Sequence, residues 1–205
     1  MLVIGLTGNV ASGKSSVARV WREMGAVVLD ADRIGHTVLS HGSEVLGRVV
    51  EVFGPGILTG GSLDREVLAR EAFRDRDSVR KLDRIVHPAI RQEIGKRLEE
   101  ERRLGTAMVV VEAALIFEAE IEDDFDVIVV VHAPLERRMK WVSRKRGIDE
   151  PGALRIEKAQ MNPGTKAKRG DFVIENQGTL TDLKRAARAM LEEIMEKYQI
   201  EGGRC

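Results

Sequence analysis

The chain has 205 residues, enough for one sizeable core with a small appended lobe. Its 33 Lys and Arg balance its 33 Asp and Glu, so no bulk charge draws it to nucleic acid or to a membrane surface. No apolar run approaches the ~18 residues of a membrane span, and the only cysteine, Cys205, excludes an intrachain disulfide and fits a reducing cytoplasm.

Leu2-Val3-Ile4-Gly5-Leu6-Thr7 reads as a buried strand; because it runs straight into a glycine-rich loop, it is not read as a signal peptide. The loop, Gly8-Asn9-Val10-Ala11-Ser12-Gly13-Lys14-Ser15, matches the phosphate-cradling pattern G-x-x-x-x-G-K-[ST] without a mismatch. Ser16 to Met24 follows at helical spacing, and Gly25 stands where a helix ends. Phosphate oxygens need donors that approach without side chains in the way. Gly8 and Gly13 permit that backbone. The amides of Ala11, Ser12, Gly13, Lys14, Ser15 and Ser16 are expected to face the phosphates of ATP, at the positive end of a helix. Lys14 is expected to reach the β- and γ-phosphates, and the Ser15 hydroxyl to meet Mg²⁺.

Ala26-Val27-Val28-Leu29-Asp30 reads as a second strand, completing a βαβ unit and implying a parallel sheet. Ligands gather at the carboxyl ends of such strands. Asp30 and Asp32 fall at that edge. Asp30 suits a helix cap, whereas Asp32 is expected to accept a proton from an attacking hydroxyl. From 33 to 105 the apolar spacing is helical, with a glycine-rich turn at 54–61 and Asp64 as a cap. Pro88 is expected to end one helix at His87 and open the next. His87 reads equally as a capping histidine or a ligand contact, and Arg91 one turn on reads as a solvated residue. The whole segment reads as a helical insertion where an acceptor could lie.

Ala107 to Val111 and Asp126 to Val131 are continuous apolar runs, as strands covered on both faces should be. Glu118 lies beyond the first of them, placed either to face the acceptor or the metal's water shell, or to form a salt bridge. A helix from Pro134 carries Arg137, Lys140 and Arg144 on one face, which reads as a cationic lid over transferring phosphate. Asp149 is expected to cap a second lid helix, and 164–169 to be its mobile return. Asp171 to Gly178 reads as a last strand and turn, with Asn176 either meeting the nucleotide base or serving the turn. Thr181 or Asp182 is expected to open the final helix.

Taken together, these ordered motifs resemble the dephospho-coenzyme A kinases. The resemblance rests on Gly-Leu-Thr-Gly with Ser-Gly-Lys-Ser, Asp30-Ala31-Asp32, Leu63-Asp64-Arg65, His87-Pro88-Ala89-Ile90-Arg91, Leu115-Ile116-Phe117-Glu118, Arg144, Gln160 and Phe172 to Gly178. It implies transfer of the γ-phosphoryl of ATP to the ribose 3′-hydroxyl of dephospho-CoA, with Mg²⁺. It also implies Asp32 as base, His87 and Arg91 near that substrate, and Arg144 as the lid arginine. The fold it implies is an α/β P-loop core of three αβα layers around a mostly parallel sheet of about five strands, with a helical substrate insertion and a helical lid. The expected core is 1–32, 106–136 and 171–205, the insertion 33–105 and the lid 137–170. This chain departs from the family's usual pattern at Ser16, Ala114 and Lys140. The rival readings are another small-molecule kinase on the same core, acting on a nucleoside monophosphate, shikimate or gluconate, and a nucleotide switch or ATPase. For the first, only Arg33 follows the second strand to grip an acceptor anion. For the second, no Asn-Lys-x-Asp turn is present.

Overall fold

A computed structural model describes residues 1–146 and 150–200, excluding the side chains at 143–146, 150, 151, 153, 155 and 156. The chain opens with β1 (Leu2–Thr7), α1 (Lys14–Glu23) and β2 (Val27–Asp30), followed by α2 (Ala31–Val38) and α3 (Glu44–Phe53). A short hairpin, β3 (Leu58–Thr59) and β4 (Ser62–Leu63), precedes α4 (Arg65–Ala72) and the long α5 (Arg76–Arg103). Then come β5 (Met108–Glu112), β6 (Val127–His132), α6 (Leu135–Arg146), α7 (Glu150–Ala159), α8 (Pro163–Arg169), β7 (Phe172–Glu175) and α9 (Leu180–Lys197).

Five strands form one sheet in the order β2-β5-β1-β6-β7. The registers of β1 with β5, β1 with β6 and β6 with β7 are all parallel. This is the α/β sheet that the unbroken apolar runs imply: every residue of β1 is buried, as are Met108 to Val111 of β5. Chain connectivity makes β1 central, so the loop leaving its carboxyl end starts from the best-supported point of the sheet.

By contact the chain divides into two compact units, residues 1–29 with 101–205, and residues 30–100. In the first, Leu2, Ile4 and Leu6 of β1 pack with Val17 and Trp21 of α1 and with Leu183, Ala187, Leu191 and Ile194 of α9. The last four recur at helical spacing and give α9 one buried stripe. Trp21 is fully buried and its indole N–H donates to Ala187 O at 2.7 Å, so its large apolar surface is buried without an orphaned donor. Each such large apolar side chain contributes about 1.5–3 kcal/mol. α9 opens at Leu180, ahead of the expected Thr181 or Asp182, because Thr179 and Asp182 form a reciprocal capping box.

In the second unit Leu39, Val49, Ile57, Leu68 and Ile85 form the core. Asp30, Ser43 and Asp64 cap α2, α3 and α4 through their side chains. Two expectations are corrected here. The glycine-rich turn carries the β3–β4 hairpin, which its short strands made invisible as a pattern. Pro88 does not divide two helices; it lies inside α5. An interior proline forfeits a backbone bond at a cost of about 3 kcal/mol. What carries the helix through is burial on both sides of it: Leu82, Ile85 and Val86 join the core before Pro88, and Ile90 seats against Gly35 after it.

Candidate active site

The site is built on the turn from β1 to α1. Gly8 has φ 145° and Gly13 has φ 108°. A β-carbon on Gly8 would stand 2.3 Å from Val131 O, and one on Gly13 would stand 2.7 Å from the Asn176 amide. Both positions therefore require glycine on conformational and steric grounds. Ala11, with φ 58°, holds a left-handed conformation without being glycine, a strain that persists only where the surroundings enforce it.

Lys14 and Ser15 open α1. The Lys14 ammonium donates to Gly8 O at 2.8 Å and Asn9 O at 3.2 Å, so it lies across the loop that it serves. Two of the six amides assigned to phosphate are used by the loop's own turns: Ser12 N donates to Asn9 O at 3.1 Å and Ser16 N to Gly13 O at 2.9 Å. The Ser15 hydroxyl donates to Glu112 Oε1 at 2.7 Å. Glu112 closes β5, in register with Leu6 of β1. Sequence reasoning missed it; the signal was an acidic residue ending an apolar strand at the sheet's carboxyl edge. A hydroxyl and a carboxylate are hard oxygen donors of the kind Mg²⁺ takes, one or two from protein and the rest from waters and phosphates. The residues present thus fit that ion.

Asn176 is 1% exposed and its Nδ2 donates to Ser12 O at 2.8 Å. It supports the loop from β7. Of the two roles the sequence leaves open for Asn176, this bond serves the loop and turn. Glu118 forms the salt bridge that is one of its two readings. Its Oε1 accepts from Met161 N at 2.7 Å and lies 2.9 Å from the ammonium of Lys166. Lys166 is fully buried and also donates to Ala114 O. The segment expected to be a mobile return is therefore a helix, α8, pinned by a buried cation. Pairing satisfies a charge that burial alone would penalise.

The basic run on α6 separates into different roles. Arg137 donates to the carbonyls of Gln177 and Gly178 and stacks over Trp141 at 5.2 Å, so it braces the turn after β7. Arg137 and Lys140 lie three residues apart on the one helix α6, as the spacing implies, and the Arg137 guanidinium is engaged by that turn. Lys140 is exposed. The Arg144 side chain lies outside the described residues, as does Asp149. Arg138, which sequence reasoning passed over, is 1% exposed and forks onto Glu157. Nothing in a run of like charges marked it, since its partner is 19 residues away.

In the second unit, Asp30 closes β2 and its carboxylate accepts from Arg33 N at 3.0 Å. Asp32 is exposed in the first turn of α2. One Asp is thereby occupied as a cap and the other carries an open carboxylate. His87 does not cap a helix break. It is half-buried within α5, its Nε2 3.4 Å from Asp83 one turn earlier. Arg91 is exposed on the following turn.

A parallel sheet whose central strand feeds a lysine- and serine-bearing phosphate loop defines a P-loop nucleotide-binding protein. The model of the family CoaE, dephospho-CoA kinase, matches residues 2–182. A dephospho-CoA kinase of Corynebacterium diphtheriae is 40% identical over 200 residues, covering 97% of this chain and 100% of that protein. The crystal structure of TT1252 from Thermus thermophilus is 38% identical with a TM-score of 0.79, covering 94% of this chain and 97% of that one. The dephospho-CoA kinase from Campylobacter jejuni, at 23% identity, shares the fold with a TM-score of 0.71 over 96% of this chain and 98% of that one. The chain belongs to the dephospho-CoA kinase family.

Proposed function

We propose that this protein transfers the γ-phosphoryl group of ATP to the ribose 3′-hydroxyl of dephospho-CoA, giving coenzyme A and ADP, the last step of coenzyme A synthesis. The observation that carries the reading is the family match over residues 2–182, on a chain whose phosphate loop keeps both obligatory glycines, the lysine and the serine. A cytoplasmic setting belongs to the same reading, in keeping with a single cysteine.

In the reaction the 3′-hydroxyl oxygen forms a bond to the γ-phosphorus. The bond from that phosphorus to the β–γ bridging oxygen breaks, and ADP leaves. The hydroxyl proton passes to the carboxylate of Asp32, whose exposed place in the first turn of α2 suits a base. The base contributes modestly here, because the transition state is loose and most of the barrier is lowered by positioning and charge neutralisation. Loop amides, including those of Ala11 and Gly13, hold the phosphates. Lys14 exchanges its two loop carbonyls for β- and γ-phosphate oxygens. Ser15, with Glu112 behind it, would hold Mg²⁺, which when bound neutralises charge on the bridging region. Lys140 and Arg144 supply lid cations. His87 and Arg91, on α5 of the unit formed by residues 30–100, are assigned to dephospho-CoA.

The test is ADP release with ATP and Mg²⁺ in the presence of dephospho-CoA, AMP, shikimate or gluconate. Turnover with dephospho-CoA alone is expected. Turnover with another acceptor would remove the assignments in 30–100 and leave the loop chemistry. Hydrolysis independent of any acceptor would favour a nucleotide switch.

A further inference from the structure

The phosphate loop is held from outside by the end of α7. Gln160 Oε1 accepts from Val10 N at 2.9 Å. Asn9 Nδ2 donates to Met161 O at 3.0 Å and approaches Glu157 Oε2 at 3.5 Å. Glu157 is itself fixed by Arg138, whose terminal nitrogens bind its two oxygens at 2.5 and 2.7 Å and whose Nε donates to Ala133 O at 2.9 Å, just past β6. Val10 is buried against Val142 of α6, with Ala11 and Met139 beside them.

These contacts surround the strained residue. Ala11 is the loop's non-glycine left-handed position. Immediately before it, Val10 N is held by Gln160; immediately after it, Ser12 O is held by Asn176. A left-handed alanine costs on the order of 1–3 kcal/mol and survives only where neighbours over-determine it. Its conformation sets the direction in which the following amides point, and amides aimed at phosphate in advance need no rearrangement when it binds.

We propose that Gln160 and Glu157 are positioning residues for ATP: they set the shape of the phosphate loop through Val10 and Asn9, with Arg138 holding Glu157 in place. Neither side chain needs to touch the nucleotide. Through Arg138, Glu157 also ties the loop to α6, the helix that carries the lid cations. The proposal rests on the kinase reading for its kinetic readout and on nucleotide binding alone for its second readout.

The experiment compares wild-type protein with Gln160→Met, which keeps length and loses the acceptor, and Glu157→Gln, which keeps shape and loses the charge. The KM for ATP is expected to rise about 5- to 10-fold in Gln160→Met, the loss of one hydrogen bond, with the KM for dephospho-CoA moving less than about twofold. Glu157→Gln is expected to shift the ATP KM in the same direction. Calorimetry with a non-hydrolysable ATP analogue and Mg²⁺ should show the same fold-change in Kd. A lowered Tm with unchanged nucleotide Kd in both variants would overturn the proposal, as would equal shifts in both KM values. If the wild-type protein turned over no dephospho-CoA yet analogue binding still depended on Gln160, the kinase reading would fail and this inference would stand.

Discussion

The ammonium of Lys14 is held by the carbonyls of Gly8 and Asn9, at the mouth of the loop whose bound phosphates it is proposed to neutralise. Lys14→Ala should lower kcat/KM by about 10²–10³-fold, the scale of losing one donor aimed at developing charge. A thermal melt should move little, because the side chain contributes to no core. Comparable activity in the variant would remove Lys14 from the mechanism. Asp32→Asn keeps the shape and cannot accept a proton as readily; turnover should fall by about 10²-fold, the low end for a general base, while calorimetric binding of ATP and dephospho-CoA persists. Loss of binding instead would make Asp32 a substrate ligand rather than the base. At this scale much was legible. The Gly8, Gly13 and Lys14 pattern is local, so spacing alone identifies it. Asn176 and Glu118 kept two readings each because a polar residue at a strand's end looks the same whether it faces a ligand or a buried carbonyl. Here the partners are Ser12 O, 164 residues from Asn176, and the buried Lys166.

At the scale of elements, buried charge holds the helices that follow β6 to the sheet edge. Arg138 and Glu157 join α6 to α7 with side chains 1% and 14% exposed. Removing one partner leaves the other uncompensated, which typically costs about 3–5 kcal/mol. Arg138→Met should therefore lower Tm on the order of 10 °C for a chain of this size. The double variant Arg138→Met with Glu157→Leu should recover much of that loss, since an apolar pair carries no stranded charge. Differential scanning calorimetry on the two variants decides; a double variant no more stable than the single would mean that the pair acts by packing alone. α5 shows the limit of local rules from the other side. Proline at 88 signals a helix boundary by every local criterion, yet the buried face formed by Leu82, Ile85 and Val86 and continued by Ile90 carries the helix past it. Propensity is a per-residue bias, and burial over several turns outweighs it.

For the molecule as a whole, three carboxylates at helix starts among the described residues contribute to the response to acid. Asp64, Asp75 and Asp182 are each held below the usual carboxylate range, chiefly by hydrogen bonds from Val67 N, from Ser78 N, and from the Thr179 hydroxyl. A depressed pKa in the folded state means that the stabilisation is complete above the unfolded value and is lost as pH falls through the folded one. Their contribution to Tm should thus hold from neutrality to about pH 4 and be lost below it. Asp182→Asn, which removes the proton linkage at α9, should shallow that loss in melts between pH 5 and pH 3; an unchanged acid slope would show that other groups govern it. The sequence by itself determined the class of fold and the kind of chemistry. Continuous apolar strands, the βαβ period and the phosphate-loop spacing are local patterns, and each states its physical reason within a few residues. Only the tertiary structure decided which polar residues brace the loop and the helices around it. Asn176, Glu118, Arg137 and Arg138 acquire their roles from partners distant in the chain. A buried charge or amide takes its identity from whatever satisfies it, and no spacing rule encodes that partner.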